Sequence, residues 1–344
     1  MKVMHILNTG TYSGAENVAI SIINHMKKDI QCVYVSLKGP IEKVLKEDNI
    51  KYYPVDKLTF LSIKKAIKDE KPDIIHAHDF TASIISSIVA NNIPIISHLH
   101  HNSPWIKKIN LKSIIYKISC FKYKKILTVS ESIMNEYVFG SKLFDRNIVI
   151  GNPVITRQIR KKAKISINKT SYDIVYLGRF SSEKDPEKFL DIIKELNKKI
   201  STLKVGMIGN GEMYQFIKEK IIKMELENII NCPGFIENPY GILANSKLLC
   251  IPSKWEGFGL VAVEALSLGK PVVASNVGGL PGIVTNDSGK ICNTLNDFID
   301  ETYMLLTNSE YYQKKSNGAR KRADFLDNEY TYFDKIREIY FSEN

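Results

Sequence analysis

Two glutamates eight positions apart, Glu256 and Glu264, bracket a glycine turn, Gly257-Phe258-Gly259-Leu260, that opens an apolar helical run. On one continuous helix this spacing would turn them roughly 80° apart. The arrangement makes sense with Glu256 in the turn and Glu264 a turn or two inside the helix. The N–H groups of residues 258 to 260 then face outward at the positive end of the helix dipole, where a phosphate is well placed. Two cations lie upstream. Gly178-Arg179-Phe180 follows an apolar run and Lys184 comes five residues after Arg179, on the kind of loop where open α/β sheets hold ligands. Gly209-Asn210-Gly211 after a further apolar run is a weaker signal. Five of the seven histidines cluster as His76-Ala77-His78 and His98-Leu99-His100-His101. Spacing of two on a strand points side chains to one face, so the pairs could frame a metal, although no acid or cysteine completes the set.

Strand-like apolar runs alternate with helical patterns along the whole chain, which predicts parallel sheets wrapped by helices. The first half offers runs at 3–7, 32–35, 74–77, 95–99 and 125–129, and the second at 174–177, 203–208, 248–251 and 271–274. Each half reads as a doubly wound α/β domain. The basic stretch 157–170, after Gly151-Asn152-Pro153, has no clear apolar stripe and is read as the linker. Domains are thus expected at 1–156 and 171–329. The aromatic-rich stretch Tyr330 to Phe341 predicts an amphipathic helix.

The segment from Ser253 to Ser275 resembles the signature of glycosyltransferase family 4, whose members are retaining, nucleotide-sugar-dependent enzymes of the GT-B fold. The likeness covers nearly the whole chain and is densest between Ile174 and Val284. It implies two Rossmann-like domains facing an interdomain cleft, with the C-terminal helix (330–344) crossing back onto the first domain. It also implies that backbone N–H groups of Gly257, Phe258, Gly259 and Leu260 hold the donor diphosphate, that Glu256 touches the donor sugar, and that Glu264 binds the ribose. Arg179 and Lys184 match the cations that neutralise the leaving diphosphate, whose charge grows as the glycosidic bond breaks. Pro233-Gly234-Phe235-Ile236 corresponds to the segment near the base, and Ser13-Gly14-Ala15-Glu16 to a Gly-Gly-Ala-Glu turn in which Gly14 lets the backbone approach the donor. A histidine after the strand at 95–99 contacts the donor sugar in the family. His100 is the choice here, with His98 and His101 as alternatives. The resemblance implies no metal and no cofactor beyond the donor, for which UDP is the expected nucleotide. One position departs from the pattern: in Gly278-Gly279-Leu280-Pro281-Gly282-Ile283, Gly282 stands where the family carries Glu.

The net charge of +11 is unevenly spread. Residues 1–168 hold 26 Lys and Arg against 13 Asp and Glu, and residues 169–344 hold 22 against 24. The first half therefore presents a broad positive surface to something anionic. Residues 104–125 carry seven lysines and no acid, with Leu111, Ile114, Ile115, Ile118 and Phe121 at helical spacing. Such a helix either lies on an anionic membrane or packs on the sheet with solvated lysines. The five cysteines, without a Cys-x-x-Cys, read as reduced residues of a cytosolic protein. No run approaches a membrane span, so the expected location is the cytoplasm, with a possible peripheral seat on the inner face of the membrane.

The function expected is retaining transfer of a hexose-type sugar to a glycan or lipid-linked acceptor in bacterial surface-polysaccharide assembly. Nucleotide-sugar epimerisation on the same fold is one rival. A non-enzymic basic adaptor is the other, although no base-stacking pattern of a nucleic-acid module is present.

Overall fold

The structure is a computed structural model and describes residues 1–342, apart from the side chain of Phe144. It divides into two compact units: Met1–Pro153 together with the segment from Asn328, and Val154–Asp327. The chain therefore passes from one unit to the other twice. Glu343 and Asn344, the end of the expected C-terminal helix, lie outside the described residues.

The first unit is built on a seven-stranded parallel sheet. Its strands are β1 (Lys2–Ile6), β2 (Gln31–Leu37), β3 (Lys51–Val55), β4 (Ile74–His78), β5 (Ile95–Leu99), β6 (Tyr123–Thr128) and β7 (Asn147–Val149). Their order is β3-β2-β1-β4-β5-β6-β7. The second unit carries six: β8 (Ile174–Leu177), β9 (Val205–Ile208), β10 (Ile230–Gly234), β11 (Leu248–Ile251), β12 (Val272–Ser275) and β13 (Gly289–Cys292), ordered β10-β9-β8-β11-β12-β13. All pairings in both sheets are parallel. Strand order reverses beside β1/β4 in the first sheet and β8/β11 in the second, and such switch points open the crevice where α/β sheets bind ligands.

Four strands have no counterpart among the apolar runs read from the sequence: β3, β7, β10 and β13. They are the four sheet edges. Residues Tyr52, Tyr53 and Pro54 of β3 and Asn231 to Gly234 of β10 are half-buried or exposed, and an edge strand covered on fewer sides needs no continuous apolar run. The central strands β4 and β5 are buried at every position.

The stretch expected to be a linker is largely a helix of the second unit, Thr156–Ile165. It packs against the helix Tyr240–Asn245. The Thr156 N–H and hydroxyl donate to Asp327 at 3.0 and 2.7 Å, and Arg160 Nε donates to the Ser267 carbonyl at 3.0 Å. Polar anchors of this kind hold a helix that buries few apolar side chains, which is why its sequence shows no stripe.

The C-terminal helix Glu329–Phe341 belongs to the first unit and buries Tyr332, Phe333, Ile336, Ile339 and Tyr340. Phe333 stacks on His25 with ring centroids 4.1 Å apart, and the Tyr340 hydroxyl lies 2.7 Å from His76 Nδ1.

Candidate functional site

Both charged motifs of the second unit sit at its switch point, on the loops that leave β8 and β11. The β8 loop is held down by Phe180, which is fully buried and exchanges backbone bonds with its neighbour loop: Phe180 N–H to Asn210 O at 3.0 Å and Met213 N–H to Phe180 O at 2.9 Å. Glycine is needed at Gly209, where φ is +145° and a Cβ would sit 1.8 Å from the Gly178 carbonyl oxygen. This tight packing leaves Arg179 exposed. Lys184 forms an ion pair with Glu256, with side-chain exposures of 31% and 14%. A lysine from one motif and a glutamate from the other, 72 positions apart in the chain, are thus brought into direct contact.

Gly259, in the left-handed region at φ +96°, starts the helix Leu260–Ser267 without a side-chain cap. The N–H groups of Phe258, Gly259 and Leu260 find no acceptor among the described residues. They are the donors a helix N-terminus offers to an anion. Behind the turn, Gly278 has φ +55° and a Cβ there would lie 1.5 Å from the Glu256 carbonyl oxygen, while the Gly279 N–H donates to the Gly257 carbonyl at 2.9 Å. The glycine pair is therefore the back wall of the turn. Gly282, where an acid was expected, has open space around its Cβ position, and its carbonyl accepts from the Arg322 guanidinium, which also bonds the Ile283 carbonyl at 2.8 Å.

Gly178, Lys184, Ser253, Glu256 and Gly259 line one small concavity of about 40 Å³. Arg179, Glu264, Gly234 and Phe235 are outside that lining. Glu264 lies a turn into the helix, its Oε1 accepting from the Tyr240 hydroxyl at 2.9 Å, and burial pushes its carboxyl up to about 7. Gly234 ends β10 at φ +89° and its carbonyl accepts from Gly209 N–H at 3.0 Å. Phe235 beside it is 65% exposed, a flat apolar ring on the surface. Ser253 went unnoticed in the sequence. Its hydroxyl is buried without a partner at the end of β11, and its place at the head of the motif was the available signal.

In the first unit Gly14 begins the helix Gly14–Met26 after Ser13. Glu16 is 2% exposed and accepts from both the Ser13 hydroxyl and Thr9 Oγ1, the latter at 2.8 Å, so the serine ties the turn to its own helix. The clustered histidines, His101 apart, are buried. His76, His78 and His98 are at most 1% exposed, because β4 and β5 lie at the centre of the sheet with the C-terminal helix supplying Tyr340 to His76. They are joined by His5 of β1, which sequence reading missed. Only His100, just past β5, reaches 8% exposure, and His101 is exposed. The nitrogens of His5, His76 and His78, and those of His78, His98 and His100, lie within 4.8 Å of one another, close enough for either triple to hold a metal. Burial lowers the basicity of all five, to about 3 for His5 and His100.

A concavity of about 310 Å³ opens at the first unit's own switch point, lined by Asn8, Asp79, Phe80, His101, Trp105 and Lys112 among others. Asp79 follows the His-Ala-His of β4 and caps the next helix through Ala82 N–H at 2.7 Å, and burial raises its carboxyl to about 7. The Phe80 and Trp105 rings meet edge-on at 4.8 Å. Neither Asp79 nor Trp105 was singled out in the sequence, since nothing in their spacing sets them apart.

Part of the lysine-rich segment 104–125 is a helix that packs on its neighbour through its polar side. The helix Leu111–Ser119 turns Ser113, Tyr116 and Ser119 inward, where the Tyr116 hydroxyl meets Ser97 at 2.9 Å. Its apolar stripe faces out: Leu111 is 74% exposed, Ile118 63% and Phe121, just beyond, 74%. Among the described residues no helix is long and apolar enough to cross a membrane.

Comparison with known proteins gives the class. Residues 157–322 match the family Glycosyl transferases group 1, and residues 12–158 match Glycosyltransferase Family 4. An uncharacterized glycosyltransferase of Methanocaldococcus jannaschii is 29% identical, across 89% of this chain and 80% of its own. The Escherichia coli UDP-Gal:alpha-D-GlcNAc-diphosphoundecaprenol alpha-1,3-galactosyltransferase is 24% identical, across 99% and 96%. Anabaena HepE in complex with UDP and glucose shares the fold with a TM-score of 0.85 at 18% identity, covering 98% of each chain. Two Rossmann-like units with these motifs at their switch points define an enzyme of GT-B architecture that transfers glycosyl groups. The chain belongs to the family 4 glycosyltransferases. Transfer is the activity named for these relatives, so epimerisation is not favoured.

Proposed function

We propose that the protein moves a sugar, with retention, from a UDP-sugar to a lipid-linked glycan acceptor in cell-surface glycan assembly. The observation that carries the donor half is the uncapped N-terminus of Leu260–Ser267 beside the Lys184–Glu256 pair, at the sheet's switch point. A diphosphate on those three free N–H groups recruits Lys184 and Arg179 and releases Glu256 to accept from sugar hydroxyls. Positive charge fixed next to the leaving β-phosphate strengthens as the glycosidic bond breaks, and so acts mainly on the transition state. The leaving oxygen takes the acceptor proton in a front-face attack, with Glu256 orienting the sugar. Glu264 keeps Oε2 for the ribose hydroxyls, and exposed Phe235 offers a face to the base. This scheme uses no metal: the counter-charges to the diphosphate are the two cations and the helix end.

On the acceptor side, Asp79 and Trp105 give the first unit's concavity a carboxyl for hydroxyls and an aromatic wall for a sugar face. The outward apolar stripe with Lys108 and Lys112 suits an anionic bilayer. The E. coli relative, whose name gives a diphosphoundecaprenol-linked sugar as its acceptor, supports the same reading.

Thermal denaturation with a panel of nucleotides tests the donor half. UDP at 100 times its Kd should add ~2.7 kcal/mol to stability, and a protein indifferent to every nucleotide would end the proposal. Arg179→Ala with Lys184→Ala should lower turnover by roughly 100-fold or more. Near-normal turnover would remove the two cations from the scheme.

A further inference from the structure

The concavity of the first unit and the outward stripe of the helix Leu111–Ser119 belong to one continuous surface. Two helices packed on each other, Phe80–Val89 and Leu111–Ser119, start at the cavity and lead away from it. Ile84 of the first and Lys112 of the second both line the cavity. Ile88, one turn beyond Ile84, is 53% exposed, and on the second helix Leu111 and Ile118 are more exposed still. Residues three and four apart share a helix face. Each helix therefore carries an apolar lane outward from the cavity.

The cation between cavity and lane is uncommitted. Of the seven lysines in 104–125, Lys107 pairs with Glu136, Lys117 lies over the Phe139 ring, and Lys122 and Lys124 donate to the carbonyls of Ser87 and Ser342. Lys112 has no anionic partner among the described residues and is exposed at the rim. It directly follows Leu111, so charge and lane begin together. A lone ammonium beside an apolar track is a receptor for a phosphate that carries a chain.

The inner end of the cavity has a different chemistry. Asp79 is held at φ +144°, where L side chains are strained, and strain of this kind gathers at ligand sites. Its carboxyl accepts from the N–H groups of Ala82, Thr81 and Asn8, and it faces the cavity beside the Trp105 and Phe80 rings. A carboxyl for hydroxyl groups next to an aromatic wall suits a sugar ring. At about 310 Å³ the cavity stands at the small end of ligand sites, ~300 to 1,000 Å³, with room for one ring rather than a longer glycan.

We propose that the first unit takes a sugar joined through phosphate to a long apolar chain: the ring lies against Trp105 with a hydroxyl on Asp79, the phosphate pairs with Lys112, and the chain leaves over Ile84, Ile88 and the stripe from Leu111 to Ile118. This rests on the reading of the concavity as the acceptor site, and it names Lys112 as the residue that selects a phosphate-linked acceptor. A free sugar phosphate would leave both lanes bare. A phospholipid headgroup would leave the recess at Asp79 unfilled.

The fluorescence of Trp105 in a Trp255→Phe background reports occupancy of this cavity, with UDP saturating the donor site. Monomeric farnesyl diphosphate should bind and change the signal, whereas farnesol, inorganic diphosphate and dihexanoyl phosphatidylglycerol should each bind at least tenfold more weakly. Lys112→Gln should weaken farnesyl diphosphate binding by roughly 10-fold, and Ile88→Ser with Ile118→Ser by a similar factor. At least one of a panel of single sugars joined to farnesyl diphosphate should bind ~10-fold more tightly than farnesyl diphosphate. Asp79→Asn, which keeps an oxygen for the Ala82 cap, should abolish that gain. Equal binding of inorganic diphosphate or farnesol, an indifferent Lys112→Gln, or a panel with no gain would each overturn the proposal. Equal binding of the phosphatidylglycerol would make the surface a seat for bilayer headgroups and overturn it too. A protein that binds these lipids as expected yet transfers to none of them from any UDP-sugar would instead sink the reading of the concavity as the acceptor site.

Discussion

The ion pair between Lys184 and Glu256 gives the resting enzyme a neutral stand-in for its substrate: the cation already has an anion, and the carboxylate already has a donor. That geometry depends on glycines behind it more than on the charged residues. Gly278→Ala would thrust a Cβ to within 1.5 Å of the Glu256 carbonyl oxygen at a φ of +55°, so the turn must move. UDP binding should fall by at least tenfold while the protein stays folded, as isothermal titration would show. Glu264 offers a different test. Folded, its carboxyl ionises near 7, against 4.5 for an ordinary glutamate. Over that interval the unfolded chain gives up its proton first, so stability falls as pH rises from 4.5 through 7, by at most about 3 kcal/mol. Glu264→Gln should flatten this part of the stability profile in urea titrations and weaken UDP binding. An unchanged profile would mean that the carboxyl is not desolvated. These residues were legible because their chemistry depends on local spacing: Gly-Phe-Gly between two acids, Arg five before Lys. Asp79, Trp105 and His5 were not, since each gains its place from strands and loops that meet only in the folded sheet.

At the scale of elements, the lysine-rich helix shows what periodicity can and cannot say. The apolar stripe of Leu111, Ile114, Ile118 and Phe121 is visible in the sequence, but its direction is not, because the opposite face buries Ser113, Tyr116 and Ser119 through hydroxyl bonds that hydropathy does not register. Replacing Leu111, Ile118 and Phe121 together by Ser should release the protein from anionic vesicles in a flotation assay and leave its melting temperature nearly unchanged, since exposed substitutions shift stability by about 0.5 kcal/mol or less. A marked loss of stability would return the stripe to the core. The four edge strands were missed for a related reason: half-covered strands carry mixed residues. The helix Thr156–Ile165 was read as a linker because arginine and threonine side chains, rather than an apolar face, fasten it.

Over the whole molecule, the histidines are confined to the first unit, and five of them are buried in one layer. For His5 and His100 the folded value is about 3 against 6.5 for a free imidazole. The unfolded chain therefore binds protons first as pH falls below 6.5, and each ring removes about 1.4 kcal/mol of stability per pH unit until pH 3. The first unit should accordingly unfold at higher pH than the second. Trp105 and Trp255 fall one in each unit, so acid titration of Trp105→Phe and Trp255→Phe variants by fluorescence separates the two transitions, and coincident midpoints would contradict the prediction. Because Phe333 and Tyr340 reach His25 and His76 from the last helix, the lobe that is translated first is the one that is finished last. A nascent chain emerging from the ribosome holds every residue of its rear lobe before the front lobe receives its closing piece, so vectorial synthesis matures this protein from the back.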